Sequence, residues 1–246
     1  MISMQTLRRV SAIALFSFAA IAVQAQVKKT TTTKKAVVKT RTVVKQTVPV
    51  KPLPGTRVKL TTDSGVIIIR LYDKTPKHRD NFVKLVKDHF FDSLLFHRVI
   101  NQFMIQGGDP QSKNAAPGAF LGAGDIGYTI PAEFDTSLFH KKGALAAART
   151  DNPEKASSGC QFYIVQGRPY SDGELTSLEM QLGFKFSPQK RAIYKKLGGT
   201  PFLDMNYTVF GEVEKGLEVI DKIASARTDG ANRPLADIHM YAELMK

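Results

Sequence analysis

Short apolar runs separated by polar or glycine-containing turns make up most of residues 56–246. The runs from Arg57 to Thr62 and from Val66 to Tyr72 flank an Asp-Ser-Gly turn and predict a β-hairpin. Further strands are predicted at 95–98, 103–106, 144–149, 161–165, 208–213 and 238–244. Because the strands are short and the helices are few, the pattern favours a mainly β fold with an antiparallel sheet closed into a barrel.

Helical spacing of apolar residues follows the predicted hairpin and returns near the end of the chain. Thr75 and Pro76 give a helix start, an N-cap side chain followed by proline at the first helical position. The stripe after this start consists of Phe82, Val83, Leu85 and Val86, and residues 217–224 predict a second amphipathic helix. We interpret the stripe as core and not as a binding groove.

Residues 168–199 depart from the strand pattern. Leu175, Leu178 and Leu182 fall on one helical face, and a second helix is predicted from Ser187 to the glycine pair at 198–199. We interpret the segment as a helical hairpin inserted into the barrel and not as a second domain. Two roles remain open, extension of a peptide groove or bracing of the barrel, because the leucine face must pack against another surface.

The first 25 residues predict a secretory signal peptide. Arg8 and Arg9 form a positive head, Val10 to Val23 is apolar, and Ala25 offers a small residue at the cleavage position. A single-span membrane anchor is the alternative, but the apolar stretch is short for a bilayer. We therefore expect an exported protein located in the periplasm.

Residues 26–55 predict a basic, disordered linker. The chain has a net charge of +13, but residues 1–55 hold ten Lys or Arg and no Asp or Glu, which leaves +3 for the rest. The segment lacks aromatic residues and ends in a proline-rich stretch, so it cannot bury enough surface to fold. We expect a tether; weak electrostatic contact with an anionic envelope surface is the alternative, and nucleic acid is not an expected partner.

The candidates for covalent, metal or nucleotide chemistry lack the patterns that such sites need. Cys160 is the only cysteine and precedes an apolar strand, so we interpret it as a small core residue. The five histidines lack metal-ligand spacing, and no serine lies in a nucleophile motif. The glycine pattern at 122–127 precedes an extended segment and not a helix, which argues against a dinucleotide site. No cofactor or metal is therefore expected.

The most informative segment runs from Phe96 to Asp109 and reads Phe-His-Arg-Val-Ile-Asn-Gln-Phe-Met-Ile-Gln-Gly-Gly-Asp. Arg98 lies on an extended run and is expected to share its face with Phe96, since alternate strand residues point the same way. With Phe103 and Met104 close by and no clear carboxylate partner nearby, we interpret Arg98 as a preorganised cation at the floor of an apolar pocket. A buried ion pair with a distant Asp or Glu is the alternative.

This segment closely resembles the active-site signature of the cyclophilins, the peptidyl-prolyl cis-trans isomerases of the cyclophilin type. Segments 143–149, 158–164 and 202–211 resemble three further motifs of that family, in the expected order. The resemblance covers a domain at 56–246. It implies a closed eight-stranded antiparallel barrel capped by helices.

The resemblance also implies a site, in which Arg98 is the catalytic arginine. The proline-ring pocket would consist of Phe103, Met104, Tyr163 and Leu203. The peptide would be held by Gln106 and by the backbone of Ala148 and Arg149, with Gln161 on the adjoining wall. The rim would carry Phe202 and Tyr207.

Four of these positions depart from the residues common in the family. Tyr163 replaces phenylalanine, Phe202 tryptophan, Tyr207 histidine and Arg149 asparagine. The aromatic wall is retained, but the indole N–H donor is lost. We therefore expect peptide turnover to survive and cyclosporin-like ligands to bind more weakly.

The function implied by the resemblance is acceleration of rotation about X–Pro bonds, in support of the folding of exported proteins. The expected partners are proline-containing unfolded or flexible polypeptides, and the expected state is a monomer. The alternative is a non-catalytic module of the same fold that binds proline-containing segments or scaffolds a partner. Arg98 favours the enzyme, because a binding module needs the apolar pocket but not the charge.

Overall fold

The computed structural model describes residues 55–246. The signal peptide predicted at 1–25, and all but the last residue of the linker predicted at 26–55, lie outside the described residues. The strands are β1 Arg57–Thr62, β2 Gly65–Leu71, β3 Leu94–Leu95, β4 Arg98–Ile100, β5 Met104–Gly107, β6 Thr129–Ile130, β7 Ala144–Ala147, β8 Ser157–Ser158, β9 Phe162–Val165, β10 Val209–Lys215 and β11 His239–Leu244. The α-helices are α1 Pro76–Lys87, α2 Asp172–Leu182, α3 Pro188–Lys196 and α4 Leu217–Ala224, with 3₁₀ turns at Pro110–Ser112 and Pro201–Leu203.

One curled antiparallel sheet dominates the described residues. Its strand order is β3-β11-β1-β2-β10-β7-β9-β5-β4, and β6 pairs separately with β8. The two end strands, β3 and β4, are separated in the sequence by only Phe96 and His97. The mainly β prediction is confirmed. The closed eight-stranded barrel stays a prediction, because the sheet has nine strands and no pairing joins β3 to β4 within residues 55–246.

The predicted hairpin forms because β1 and β2 bury alternate residues. Val58 and Leu60 on β1, and Ile67 and Ile69 on β2, are fully buried, while their neighbours reach the surface. Each buried aliphatic side chain of this size stabilises the fold by roughly 1.5–3 kcal/mol. The bounds of β1 are as predicted, whereas β2 is shifted by one residue at each end, to Gly65–Leu71.

Two helices cover the sheet as the helical spacing predicts. In α1, Phe82 packs its ring against Phe91 and Phe162, with centroids 4.8 and 5.5 Å away. Thr75 takes the N-cap position of α1, but its hydroxyl makes no capping hydrogen bond. The helix α4 has the predicted bounds and buries Ile220 and Ile223 completely.

Both helices predicted in segment 168–199 are present. Ser171 and Glu174 form a reciprocal capping box at the start of α2, and the left-handed Gly183 ends it. Leu175 packs with Phe186 and Tyr194 in an apolar cluster of the insertion itself. Within residues 55–246, no helix has the length and apolar composition that a bilayer span requires.

Candidate active site

A row of side chains crosses three neighbouring strands and forms the base of the candidate site. Arg98 on β4 pairs with Gln106 on β5, and Gln106 pairs in turn with Tyr163 on β9. Residues that face each other across strands project to the same side of the sheet. The strand order therefore brings together three residues that are up to 65 positions apart in the sequence.

These residues open onto a cleft of about 110 Å³. The nine residues that line it are Arg98, Phe103, Met104, Gln106, Ala148, Arg149, Tyr163, Leu203 and Tyr207, and all nine belong to the predicted site. Met104 and Tyr163 are buried, whereas Arg98 and Leu203 are half-buried. The cleft therefore combines an apolar wall with three polar side chains, those of Arg98, Gln106 and Arg149.

The Arg98 guanidinium has a neutral partner. Its Nη1 donates to Gln106 Oε1 at 3.2 Å, and its Cζ lies 6.0 Å from the centroid of the Phe103 ring. No ion pair joins Arg98 to a carboxylate of residues 55–246, so the buried ion pair considered as an alternative is not observed. The expected neighbour Phe96 lies in the main core instead, because residues 96–97 belong to no strand and the strand alternation is broken there.

Gln106 also makes a second polar contact, with Gln161. Its Nε2 donates to Gln161 Oε1 at 3.0 Å, and Gln161 Nε2 donates to the carbonyls of Gly122 and Gly124 at 3.0 and 2.7 Å. Gln161 lies on the adjoining wall, as predicted, and not in the cleft itself. The two glutamines thereby connect the arginine to the loop at 122–129.

That loop lines a second cavity of about 520 Å³ beside the cleft. The two spaces share Gln106, Ala148 and Arg149. The glycine cluster at 122–127 is the signal that the sequence offers for this loop, and by itself it predicts no peptide-binding role. In the structure the cluster is a loop followed by the strand β6, so the argument against a dinucleotide site holds.

Asp109 holds the same loop through hydrogen bonds to its backbone. The sequence alone does not indicate this role. Its buried carboxylate accepts hydrogen bonds from the backbone N–H groups of Gln111 and Gly122. A Cβ atom added at Gly124 would lie 2.0 Å from Asp109 Oδ1, so this approach requires glycine. Asp109 therefore holds the wall of the second cavity in place.

The predicted backbone contact at Ala148 is only partly available. Its N–H donates to the Gln161 carbonyl at 3.0 Å, and its own carbonyl accepts from the Ser158 N–H at 2.8 Å. A carbonyl has a second lone pair, whereas the N–H is fully used. The prediction for Ala148 is therefore corrected, because only its carbonyl oxygen is able to accept a further hydrogen bond from a peptide.

The rim contains the predicted aromatic residues and Arg149. Phe202 is 39% exposed, and its ring lies 5.7 Å from that of Phe103, outside the cleft lining. Tyr207 meets the Tyr163 ring edge-on at 5.9 Å. The guanidinium of Arg149 lies 4.8 Å over the Tyr207 ring, and its Nε donates to the Asn206 carbonyl. Arg149 thus contributes a second cation to the lining of the cleft.

The hydroxyl of Tyr163 lies on the side of the ring that contacts His140. The distance from this hydroxyl to His140 Nε2 is 3.0 Å, and burial holds the pKa of Tyr163 well above its usual range. Neither the spacing nor the composition of the sequence singled out His140 among the five histidines.

The other candidate groups do not form a reactive centre. Cys160 is buried, and burial raises the pKa of its thiol to about 11. Burial lowers the pKa of His97 to about 4, so its ring is neutral near pH 7. Among the described residues, no group of three His, Cys, Asp or Glu side chains is arranged to hold a metal ion.

Comparisons with known proteins identify the family of the chain. A protein of Staphylococcus epidermidis named a peptidyl-prolyl cis-trans isomerase is 34% identical over 184 residues, 74% of this chain and 87% of that protein. A Streptococcus pyogenes protein named a bifunctional phosphatase/peptidyl-prolyl cis-trans isomerase is 36% identical over 190 residues, but the chain spans only 37% of its length.

A solved structure and a family model also point to a peptidyl-prolyl cis-trans isomerase. The crystal structure of a cyclophilin type peptidyl-prolyl cis-trans isomerase from Cryptosporidium parvum has the same fold, with a TM-score of 0.56 and 21% identity over 78% of this chain and 98% of that one. The family model described as cyclophilin type peptidyl-prolyl cis-trans isomerase/CLD matches residues 57–242. The chain therefore belongs to the cyclophilin-type peptidyl-prolyl cis-trans isomerases.

Proposed function

We propose that Arg98 is the catalytic group of this peptidyl-prolyl isomerase and that the adjoining cleft holds the proline ring of the substrate. The observation that carries the assignment is a half-buried guanidinium, hydrogen-bonded to a neutral amide, in a cleft whose wall is formed by apolar and aromatic side chains. Because no carboxylate of residues 55–246 forms an ion pair with it, its charge is available to a bound peptide. A solved structure of the same fold, that of the Cryptosporidium enzyme, was determined in the presence of the dipeptide Ala-Pro, which supports a proline-containing peptide as the ligand.

Catalysis of X–Pro rotation requires electrostatic stabilisation at the prolyl nitrogen. Amide resonance gives the X–Pro bond a rotational barrier of ~18–20 kcal/mol. In the twisted transition state this conjugation is lost, and the prolyl nitrogen gains a lone pair. A guanidinium donor close to that nitrogen stabilises the twisted form more than either planar isomer. Lowering the barrier by about 5–7 kcal/mol accelerates rotation roughly 10⁴- to 10⁵-fold.

The groove beside the proline pocket orients the rest of the peptide. Gln106 is held by Arg98 on one side and by Gln161 on the other, so its carboxamide is preorganised to bond the peptide backbone. The second cavity shares Gln106 and Arg149 with the cleft and has room for the residues next to proline. We assign it to the peptide segment that continues from the proline ring.

Replacement of Arg98 tests the assignment directly. Arg98→Ala should fold and lose about 10²- to 10³-fold in kcat/KM on a prolyl tetrapeptide, the scale of one removed charge-stabilising donor. Arg57→Ala, which removes an exposed arginine from β1, is the matched control and should leave turnover unchanged. Wild-type turnover by Arg98→Ala, with the fold shown intact by circular dichroism, would refute the catalytic role.

We further propose that the enzyme is exported, acts in the periplasm and is a monomer. The support is the sequence of residues 1–25, the basic tether at 26–55 and a cleft formed within one chain. Its substrates would be unfolded or flexible segments of exported proteins. The test is expression of the full chain followed by envelope fractionation and mass spectrometry. Cleavage after Ala25 is expected, and an unprocessed chain in the cytoplasm would overturn the proposal.

We also infer that β3 and β4 act as one strand bent at Phe96 and His97, which would close the sheet into a barrel. The support is backbone bonding on both sides of the bend. The Phe96 N–H donates to the Ile238 carbonyl, and the Val99 N–H donates to the Asn232 carbonyl, both at 2.9 Å. Hydrogen exchange tests this inference, because protected amides at Phe96 and Val99 are expected and fast exchange at both would contradict it.

A further inference from the structure

We propose that the helical insertion positions the proline pocket through a buried hydrogen-bond relay. The relay runs from Tyr194 on α3 through Asp204 and His140 to Tyr163, which forms a wall of the cleft. The three residues behind the wall are positioning residues and contact no substrate. The inference rests on the assignment of the cleft as the proline site.

The contacts of the relay are short and continuous. The Tyr194 hydroxyl donates to Asp204 Oδ2 at 2.8 Å. Asp204 Oδ1 accepts from His140 Nδ1 and from the His140 backbone N–H, each at 2.9 Å. His140 Nε2 lies 3.0 Å from the Tyr163 hydroxyl. All four residues are buried, so each polar group depends on its partner in the relay to avoid an unsatisfied buried atom.

The chemistry of the groups defines the direction of each bond. An ionised carboxylate only accepts, so His140 carries a proton on Nδ1. In a neutral imidazole the remaining lone pair is on Nε2, where it accepts a hydrogen bond from the Tyr163 hydroxyl. Lys190 of α3 lies 3.8 Å from Asp204 Oδ2 and supplies a positive charge to the buried carboxylate. The insertion therefore provides both a hydroxyl donor and a cation to the centre of the relay.

The relay explains the tyrosine at position 163. A phenylalanine ring would form the same apolar wall, and a phenol hydroxyl in such a wall costs free energy unless it is bonded. Here the hydroxyl reaches His140 behind the wall, so it anchors the ring. Asp204 also follows Leu203 directly, at the end of the 3₁₀ turn. The relay therefore holds two lining residues of the cleft, Tyr163 and Leu203.

The packing of the insertion favours this role over extension of the groove. Neither α2 nor α3 contributes a residue to the cleft or to the adjoining cavity. The Tyr194 ring packs against Phe139 and Phe186, with centroids 5.4 and 5.6 Å away, while its hydroxyl bonds Asp204. The end of the insertion is also tied to His140, because the Thr200 N–H donates to the His140 carbonyl at 2.8 Å.

Tyr194→Phe is the decisive variant, since it removes one donor and keeps the ring. KM for a prolyl tetrapeptide should rise about three- to tenfold, the scale of one buried hydrogen bond, while kcat stays within about twofold. KM is expected to rise without a change in kcat because the pocket wall binds the proline ring equally in the ground state and in the transition state. Tyr170→Phe, which removes another hydroxyl of the insertion from outside the relay, is the matched control and should leave KM unchanged.

A double-mutant cycle separates positioning from general stability. In a Tyr163→Phe background the wall no longer depends on His140, so Tyr194→Phe should leave KM at the value of Tyr163→Phe alone. Thermal unfolding of all four proteins gives the loss of stability, which should be the same in both backgrounds.

Two results would overturn the relay. One is an unchanged KM for Tyr194→Phe, and the other is the same increase in KM in both backgrounds. The Arg98→Ala variant, measured in the same series, separates this failure from failure of the site itself. If Arg98→Ala is inactive and the cycle shows no coupling, the relay alone is wrong; if Arg98→Ala is active, the cleft assignment is wrong.

Discussion

His97 is expected to contribute to the loss of stability of the fold in acid. Its side chain is 3% exposed, and neither ring nitrogen has a hydrogen-bond partner among the described residues. Burial is the main cause of its low pKa of about 4. Asp109 raises this pKa, and the positive charges of Arg98 and Arg233 lower it. The native state therefore resists protonation at this residue.

The size of the effect follows from the two pKa values. The unfolded chain binds a proton at His97 near its ordinary pKa of 6.5, whereas the native state does so only near a pKa of about 4. Above pH 6.5 the ring is neutral in both states and the native fold has its full stability. Between these values the unfolded state holds more protons, so the free energy of unfolding falls by about 3 kcal/mol as the pH drops.

Urea unfolding at a series of pH values measures this contribution. His97→Gln cannot gain a positive charge at this position. Its free energy of unfolding should therefore fall less on acidification than that of the wild type, by about 2–3 kcal/mol. His89→Asn, at an exposed histidine with a positive φ of 54°, is the control and should follow the wild type. Burial also lowers the pKa of His78, but this contribution is common to all three proteins and cancels in the difference. Parallel pH profiles for wild type and His97→Gln would refute the reasoning.

Three further predictions concern the core and the groove. Gln161→Leu breaks the bonds to the loop carbonyls and should raise KM about three- to tenfold in the tetrapeptide assay, with kcat little changed; an unchanged KM would contradict the role of the loop. Gly124→Ala places a Cβ against Asp109 and should lower the free energy of unfolding by about 1–3 kcal/mol in urea. Gly173→Ala, at an open position of α2, should cost nothing, so equal losses for the two alanines would refute the packing argument. Cys160, with its thiol pKa raised to about 11, should react with a thiol reagent near pH 8 only after unfolding, and rapid labelling of the native protein would show that it is accessible.

The parts of the fold that the sequence predicted well are those set by local pattern. The alternation of buried residues in β1 and β2, and the helical spacing of α4, depend on neighbours a few residues away. The predicted strand at 95–98 is instead divided. Leu95 on β3 pairs with β11, and Arg98 on β4 pairs with β5, so the chain changes partner between them. An apolar run carries no signal for such a change of partner.

In the candidate site, too, the residues in short sequence motifs were predictable and the contacts between distant residues were not. Motif resemblance brought together the nine residues of the cleft, because they lie in four short segments of the chain. The polar contacts behind them join residues far apart in the sequence, such as His140 to Asp204 over 64 positions and Gln161 to Gly124 over 37. Such contacts are decided by how the strands and loops pack in three dimensions. Hydrophobic periodicity reports only which face a residue occupies, and so it could not reveal them.

The composition of the cleft lining has a consequence for the working range of the enzyme. Its nine residues include two arginines and a glutamine but no carboxylate, histidine or cysteine. Arginine keeps its charge at any pH that a folded protein tolerates, and a carboxamide does not ionise. At the proposed site the catalytic step therefore depends on no group that titrates in mild acid, and turnover in acidic medium should fall where protonation of groups such as His97 unfolds the native state. Acid tolerance in this enzyme would be improved by redesigning its core, with the catalytic groups left as they are.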